Sequence, residues 1–326
     1  VTGVQTCALP ISWTVADSIA VWMRIGERFD GSWKNEVNAL RNYEKRGEAF
    51  ITQPVIDNEA SIVKEEDFMR TNPDIYYRLL DKVQSRRLDS TANHEFLKAS
   101  HAWTVSGSKT ETGSPFLESD PQIAVTLPSL WYEIHLSGGN YNTRGICVAG
   151  SPGFLIGWNE NLAWGVTALG SDNNDLFKEV LSDDGIMYLF RDNWYPVKIS
   201  SEAIAVRESE PVFISIMETH HGPLVDQFLS NIRQGEHFAH KYVATSEIST
   251  PITGMIKMMA AINWEDFTDG LSDYLYPGIH VVYADRKGNI GYHTAGAIPI
   301  RTGIRGLPQE DRKSTSLNSS HRIRYR

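Results

Sequence analysis

Ser100, in the string KASHAWTVSG, enters a short apolar run, and taken alone it is only a serine at the head of a strand. A serine hydroxyl is a poor nucleophile at neutral pH and must hand its proton to a nearby base. A serine at a chain terminus carries its own base. A free α-amino group has a pKa of about 7.7–8.0, so near neutrality a useful fraction can accept the hydroxyl proton directly or through one water. Such a site needs no histidine–aspartate pair, but it does need a precursor. Until the bond before Ser100 is cut, that amine is an amide without basicity, and the residue on the other side of the bond is the small Ala99. Ser106 and Ser108 are the alternative nucleophiles, for a serine hydrolase using a separate histidine and aspartate.

A second chemical candidate is acidic. In SDNNDLF, Asp172 and Asp175 lie three apart with polar residues, including Asn174, between them. A turn of this kind presents two carboxylates and a carbonyl to a hard cation, and it equally suits a solvated polar loop. Other features read as structural. His220 and His221 have no third ligand at a zinc spacing and read as a turn after a strand. GSKTETGSP lacks the ending of a phosphate loop, and Met255, Met258 and Met259 read as helical core.

The elements that must position these residues change character at Ser100. Before it, TVADSIAVWMRIGERF places Ile19, Trp22, Met23 and Phe29 on one helical face, SWKNEVNALRNYEKRG ends in a helix-stopping glycine, and a third helical stretch is expected near Asp74 to Arg87. After it, AWTVSG, SPFLES, QIAVTL, WYEIHLSGG, RGICVAG and FLIGW are short apolar or alternating runs punctuated by Gly, Pro and Asn, the pattern of antiparallel strands. Further strands are expected near Ala203 to Val206, Phe213 to Thr219 and His280 to Asp285, with helices at Pro251 to Ala261 and Trp264 to Tyr274.

The chain has 326 residues, 41% of them hydrophobic, and a net charge of −9 without long runs of one sign, so it has no basic footprint for nucleic acid. No apolar stretch approaches the roughly 20 residues that cross a bilayer. Both ends look foreign. The complement of one DNA encoding of residues 1–11 reads DRKSTRLNSSH, which agrees with residues 311–321 at ten of eleven positions and differs at Ser316. Such strings resemble translated sequencing adapters, so 1–11 and 311–326 are set apart as artefact and the insert is expected to run from about Ser12 to Glu310, without its true ends. Cys7 then falls in an adapter, which leaves Cys147 as a structural thiol.

The segment SHAWTVSGSKTETGSPFLESDPQIAVTLPSLWYEIHLSG resembles the start of the catalytic chain in the penicillin acylase family, and the resemblance continues through SPGFLIGWNENLAWGVTALGSDNNDLF and YADRKGNIGYHTAGAIPIR. It implies an N-terminal-nucleophile hydrolase of α+β class, an αββα sandwich of antiparallel sheets between helical layers. Residues 12–99 would be the end of an α-chain plus any spacer, and 100–310 the first part of the β-chain. The implied reaction is hydrolysis of a non-peptide amide, the acyl group of a β-lactam, an acyl-homoserine lactone or a lipopeptide, through an acyl-enzyme on Ser100. The two chains would come from one precursor exported to the periplasm or beyond.

The resemblance also assigns residues. Ala168 would give a backbone oxyanion donor, and the backbone of Gln122 would contact the nucleophile's amine or the substrate. The second family donor, an asparagine, is replaced by His280, and the asparagine that usually follows the nucleophile is replaced by His101. Arg301 matches an arginine that orients the oxyanion side chain. Arg28, Phe29, Ile25, Ile123, Ile156 and Val166 match positions lining an apolar acyl pocket. One structural calcium ion would be held by Glu36, Asp172, Asn174 and Asp175, and no organic cofactor is implied. The alternative is a noncatalytic exported binding protein that keeps the acylase shell, motivated by the two histidines.

Overall fold

The structure, a computed structural model, describes residues 13–30, 32–47, 99–123, 127, 129–206, 208–245, 251–301, 306–310 and 323–324. The helix expected near residues 74–87 and most of both terminal strings lie outside the described residues. Residues 41–98 form a unit of their own, of which 41–47 are described, the last turns of a helix.

α1 (Val15–Asp30) begins at Thr14, whose N–H and hydroxyl donate to Asp17 Oδ2 at 2.7 and 2.6 Å while the Asp17 N–H donates back to Thr14 Oγ1. This reciprocal cap satisfies donors that the first helical turn leaves open. The stripe Ile19, Trp22, Ile25 and Phe29 recurs every three or four residues and meets the main core, with Trp22 and Ile25 buried in it. A 3-10 turn at Ser32–Asn35 leads into α2 (Glu36–Arg46), which stops at Gly47, where φ is +60° and only glycine sits without strain.

From Ala99 the alternating runs pair as antiparallel strands. β1 (Ala99–Val105) and β2 (Phe116–Gln122) form a hairpin. A meander follows: β3 (Trp131–Gly138), β4 (Tyr141–Val148), β5 (Ile156–Asn159) and β6 (Leu162–Ala168). After β7 (Asn174–Glu179) come two hairpins, β8 (Met187–Phe190) with β9 (Asn193–Pro196) and β10 (Lys198–Ile204) with β11 (Val212–Thr219), the latter extended by β12 (Gly222–Pro223). β13 (His237–Tyr242) pairs with β7. Helices α3 (Pro251–Ala260) and α4 (Trp264–Ser272) precede β14 (Ile279–Asp285) and β15 (Ile290–Ala295), which complete a six-stranded sheet in the order β15-β14-β6-β5-β4-β3.

Alternation sorts this sheet into two faces. Ile279, Val281 and Tyr283 of β14, opposite Ala168, Val166 and Trp164 of β6, belong to the helix side. There Trp164 and Tyr283, both buried, pack on the rings of Phe267 and Trp264 from α4. Each such fully buried side chain contributes about 1.5–3 kcal/mol. The other face carries His280, Val282 and Ala284 opposite Thr167, Gly165 and Ala163, and the β1–β2 hairpin lies across it, over β6, β14 and β15. Gly165 lets the hairpin close, because a Cβ there would lie 2.5 Å from Ser119 Cβ.

This is the expected α+β class, with a helical layer, an antiparallel sheet and a second β layer. The far side of the hairpin, with Trp103 and Phe116, is exposed. One element differs from expectation. SDNNDLF is a turn only in its first part, where Asp172 takes φ 51°; Asn174 and Asp175 enter β7, and both are buried. Pairing with β13 and a countercharge from Arg301 make that burial tolerable. The strand expected at Ala203 to Val206 begins earlier, at Lys198, and ends at Ile204.

Candidate active site

Ser100 is half-buried near the head of β1 and stands opposite Pro121 of β2. Directly opposite residues share a face, and so do residues two apart along a strand, so Ser100 projects from the same face of the hairpin as Ser119. That face meets β6. Leu117 and Ser119 both approach Gly165, and continuing along β2 carries Pro121, with Ser100 opposite it, toward the Ala168 end of β6. Gln122 stands opposite Ala99, so its backbone adjoins the residue preceding the nucleophile. Its side chain lies on the far face, where Nε2 donates to Asp120 Oδ2 at 2.6 Å and meets His101 Nδ1 at 3.2 Å. His101 therefore points away from the Ser100 side.

Ala168 ends β6 with an open main-chain donor. The Leu169 N–H donates to Gly278 O at 2.9 Å, which makes Leu169 and Gly278 a hydrogen-bonded pair. By alternation Val166 and Ala168 then turn their N–H and C=O groups away from β14. On that side β5 has already ended, its first partner on β6 being Trp164. Ser119 occupies the gap at Val166: its Oγ accepts the Val166 N–H at 3.1 Å and donates to Val166 O at 3.3 Å. Two residues on, the Ala168 N–H has no hydrogen-bond partner among the described residues.

His280 lies on β14 opposite Thr167, one position from the Ala168–Ile279 pair and on the hairpin face of the sheet. Its Nδ1 is 2.6 Å from Tyr292 Oη of β15, with the rings at 5.9 Å and 27°. Arg301 requires a correction. Its Nε donates to Asp175 Oδ1 at 2.6 Å and its Nη2 to the Asp172 carbonyl, and no polar atom of His280 is among its partners. Two buried or nearly buried aspartates draw the guanidinium more strongly than a neutral imidazole would. Ser106 and Ser108, the alternative nucleophiles, bond to each other, Ser106 capping the short 3-10 turn that contains Ser108, and among the described residues no histidine or carboxylate is their partner.

The acidic loop gathers the residues singled out for a cation. Glu36, at the start of α2 and 2% exposed, reaches β7, where its Oε2 accepts the Leu176 N–H at 3.0 Å; its Oε1 is buried without a hydrogen-bond partner. Burial above all, then the neighbouring Asp175 and Asp172, push its carboxyl up to about 8. Among the described residues no three carboxylate, histidine or cysteine side chains are gathered tightly enough to hold an ion as they stand. The donor set nevertheless suits a hard oxygen-seeking cation, with Arg301 now supplying the positive charge.

The model of the penicillin amidase family matches residues 3–320. The chain belongs to that family. Over 220 residues it is 28% identical to the acyl-homoserine lactone acylase QuiP of Pseudomonas aeruginosa, covering 64% of this chain and 26% of the relative. Over 308 residues it is 25% identical to the penicillin acylase 2 proenzyme of a Pseudomonas species, covering 90% of this chain and 38% of the relative. The thermostable penicillin G acylase of Alcaligenes faecalis superposes with a TM-score of 0.59 at 27% identity, over 70% of this chain and 39% of that one. The chain thus spans well under half the length of these penicillin amidase relatives.

Of the pocket positions expected from the penicillin amidase family, Ile25 and Val166 are buried in the main core, and Phe29 and Ile156 pack against it. Ile123 is half-buried just beyond β2, outside that cluster. A groove of about 670 Å³ between α1 and the sheet is lined by Val21, Ile25, Arg28, Leu130 and Val148 among others, so only Ile25 and Arg28 of the expected set reach it. Arg28 is exposed there. His221 Nδ1 lies 2.8 Å from Glu179 Oε1, which also accepts from Thr219 Oγ1, and the trio fastens the β11–β12 turn to β7. Cys147 is buried and free. Sequence reasoning did not single out Ser119 or Tyr292. Ser119 could have been noticed as a polar residue on the apolar-facing side of a strand; Tyr292 carries no such signal.

Proposed function

We propose that the full-length protein hydrolyses a non-peptide amide by acyl transfer to Ser100, after Ser100 has freed itself from Ala99. The observation carrying this reading is that Ser100 faces the edge of β6 where the Ala168 N–H is an open donor, on the sheet face that bears His280. In self-cleavage, Ser100 Oγ attacks the Ala99 carbonyl carbon, the acyl group moves from nitrogen to oxygen, and water hydrolyses the ester, leaving a free α-amine on Ser100. In turnover that amine takes the hydroxyl proton as Oγ attacks the substrate carbonyl, and then gives the proton to the departing amine. The Ala168 N–H and His280 Nε2–H stabilise the oxyanion, each worth about 3–4 kcal/mol by analogy with deletion of one such donor. Water releases the acid from the ester.

The names of relatives, acyl-homoserine lactone acylase and penicillin acylase proenzyme, support an acyl amide as substrate and a processed precursor. The apolar lining of the groove beside α1, with Val21, Ile25, Leu130 and Val148, favours an apolar acyl group. The reading further includes export to the periplasm or beyond, a heterodimer of the two cleaved chains, and one structural calcium ion on Glu36, Asp172, Asn174 and Asp175, which would supply positive charge where Arg301 now does. The deciding experiment is Ser100→Ala in the full-length protein. An uncut precursor without amidase activity is expected, whereas Ser106→Ala should process normally. Two chains and normal activity from Ser100→Ala would disprove the assignment.

A further inference from the structure

We infer that Tyr292 is a positioning residue that fixes His280 as an Nε2–H donor. The inference rests on the oxyanion role proposed for His280. A neutral imidazole has one N–H and one bare nitrogen, so it can donate from Nε2 only if Nδ1 is the bare acceptor. An asparagine at that position would need no such arrangement, because its amide nitrogen always donates.

The structure supplies a partner for Nδ1. Tyr292 lies on β15 diagonally across from His280, whose direct partner there is Thr294, and diagonal neighbours are within reach of long side chains. Tyr292 Oη sits 2.6 Å from His280 Nδ1, and the rings lie at 27° with centroids 5.9 Å apart. Among the described residues His280 is the only polar group that the Tyr292 hydroxyl meets. Tyr292 is 60% exposed, so water can satisfy the lone pairs of Oη while its one hydrogen goes to the imidazole. A phenol O–H is a strong donor and a bare imidazole nitrogen a good acceptor, so on this proposal the short contact is O–H···Nδ1. That bond holds the proton of the neutral ring on Nε2 and orients the ring on the hairpin face of the sheet. Arg301, committed to Asp175 and Asp172, takes no part.

Two measurements on the full-length protein test this. In ¹⁵N-histidine-labelled protein near neutral pH, His280 should show a bare Nδ1 and a protonated Nε2, and Tyr292→Phe should give a mixture of the two tautomers. Kinetically, Tyr292→Phe should lower kcat about fivefold with KM unchanged, the effect of losing one neutral hydrogen bond. In a His280→Asn background the same change should cost nothing, because an amide needs no tautomer set. A protonated Nδ1 in the parent would overturn the proposal, as would equal losses from Tyr292→Phe in both backgrounds. A parental rate for His280→Ala would overturn the oxyanion role itself, whatever the tautomer.

Discussion

His240, on β13, lies against Trp33 with ring centroids 4.4 Å apart and the rings tilted at 31°, and its Nε2 is buried without a hydrogen-bond partner among the described residues. Burial lowers its pKa from 6.5 to about 4, against an opposing pull from Glu27 and with a smaller push in the same direction from Lys34. A histidine depressed on folding contributes stability that is complete above its unfolded pKa and lost as pH falls through the folded one. Stability should therefore fall between pH 6.5 and 4, by on the order of 3 kcal/mol from this residue. Denaturant titrations at intervals across that window should show a shallower decline for His240→Gln, and an identical decline would remove His240 as the cause. None of this is visible in HFAHKY, where the histidine is one polar letter among several. At the same scale Ser100 stood out only through the resemblance of the segment that follows it, since a lone serine entering a strand carries no signal of its own. The partners of Arg301 and His280 were not legible, because the first is set by charges far apart in the chain and the second by the register of β14 against β15.

Periodicity carried the elements further. The stripe of α1 and the alternating strands before Ala168 appear in the structure because burial on one face imposes periods of 3.6 and 2. β7 was hidden because Asn174, Asp175 and Glu179 are buried in it beside Leu176 and Phe177, and these polar side chains become acceptable only through partners such as Arg301 and His221. β8, β9 and β13 are short, and their aromatic and histidine side chains give no clean alternation. The placement of the β1–β2 hairpin depends on one glycine, and this gives an element-scale prediction. Gly165→Val should push Ser119 and Leu117 off the sheet, at about 1–3 kcal/mol for overpacking. Self-cleavage and amidase rates should fall by about a hundredfold or more, as reacting groups move by an ångström. Far-ultraviolet circular dichroism should be unchanged, because the helix side of the sheet is untouched. Normal processing in this variant would show that the hairpin is not positioned as described.

The six-stranded sheet joins segments far apart in the chain, and Glu36 of α2 reaches β7 across the proposed cleavage point. If calcium occupies this junction, its removal should lower the melting temperature of the processed protein. Restoring it should raise stability by about 2.7 kcal/mol at a hundredfold excess over Kd. Glu36→Gln should not respond. A parent whose melting temperature ignores both chelator and calcium would eliminate the ion. At this scale the change from helical to β-rich character at Ser100 was readable and the resemblance implied the α+β class, whereas the packing of hairpin on sheet was not legible, since it depends on contacts between Ser119 and Gly165 that no local pattern encodes. The exposed Trp103, Phe116, Val212 and Phe213 are a reason to make every measurement on the full-length protein. One feature of β1 reaches beyond chemistry. The Ala99–Ser100 peptide lies inside a paired strand, with Ala99 held against Gln122. On the proposed mechanism, only a chain whose hairpin has formed and docked can cut itself. The proportion of cut polypeptide on a denaturing gel then becomes a census of molecules that once folded, written in covalent bonds and still legible after every one of them has been unfolded again.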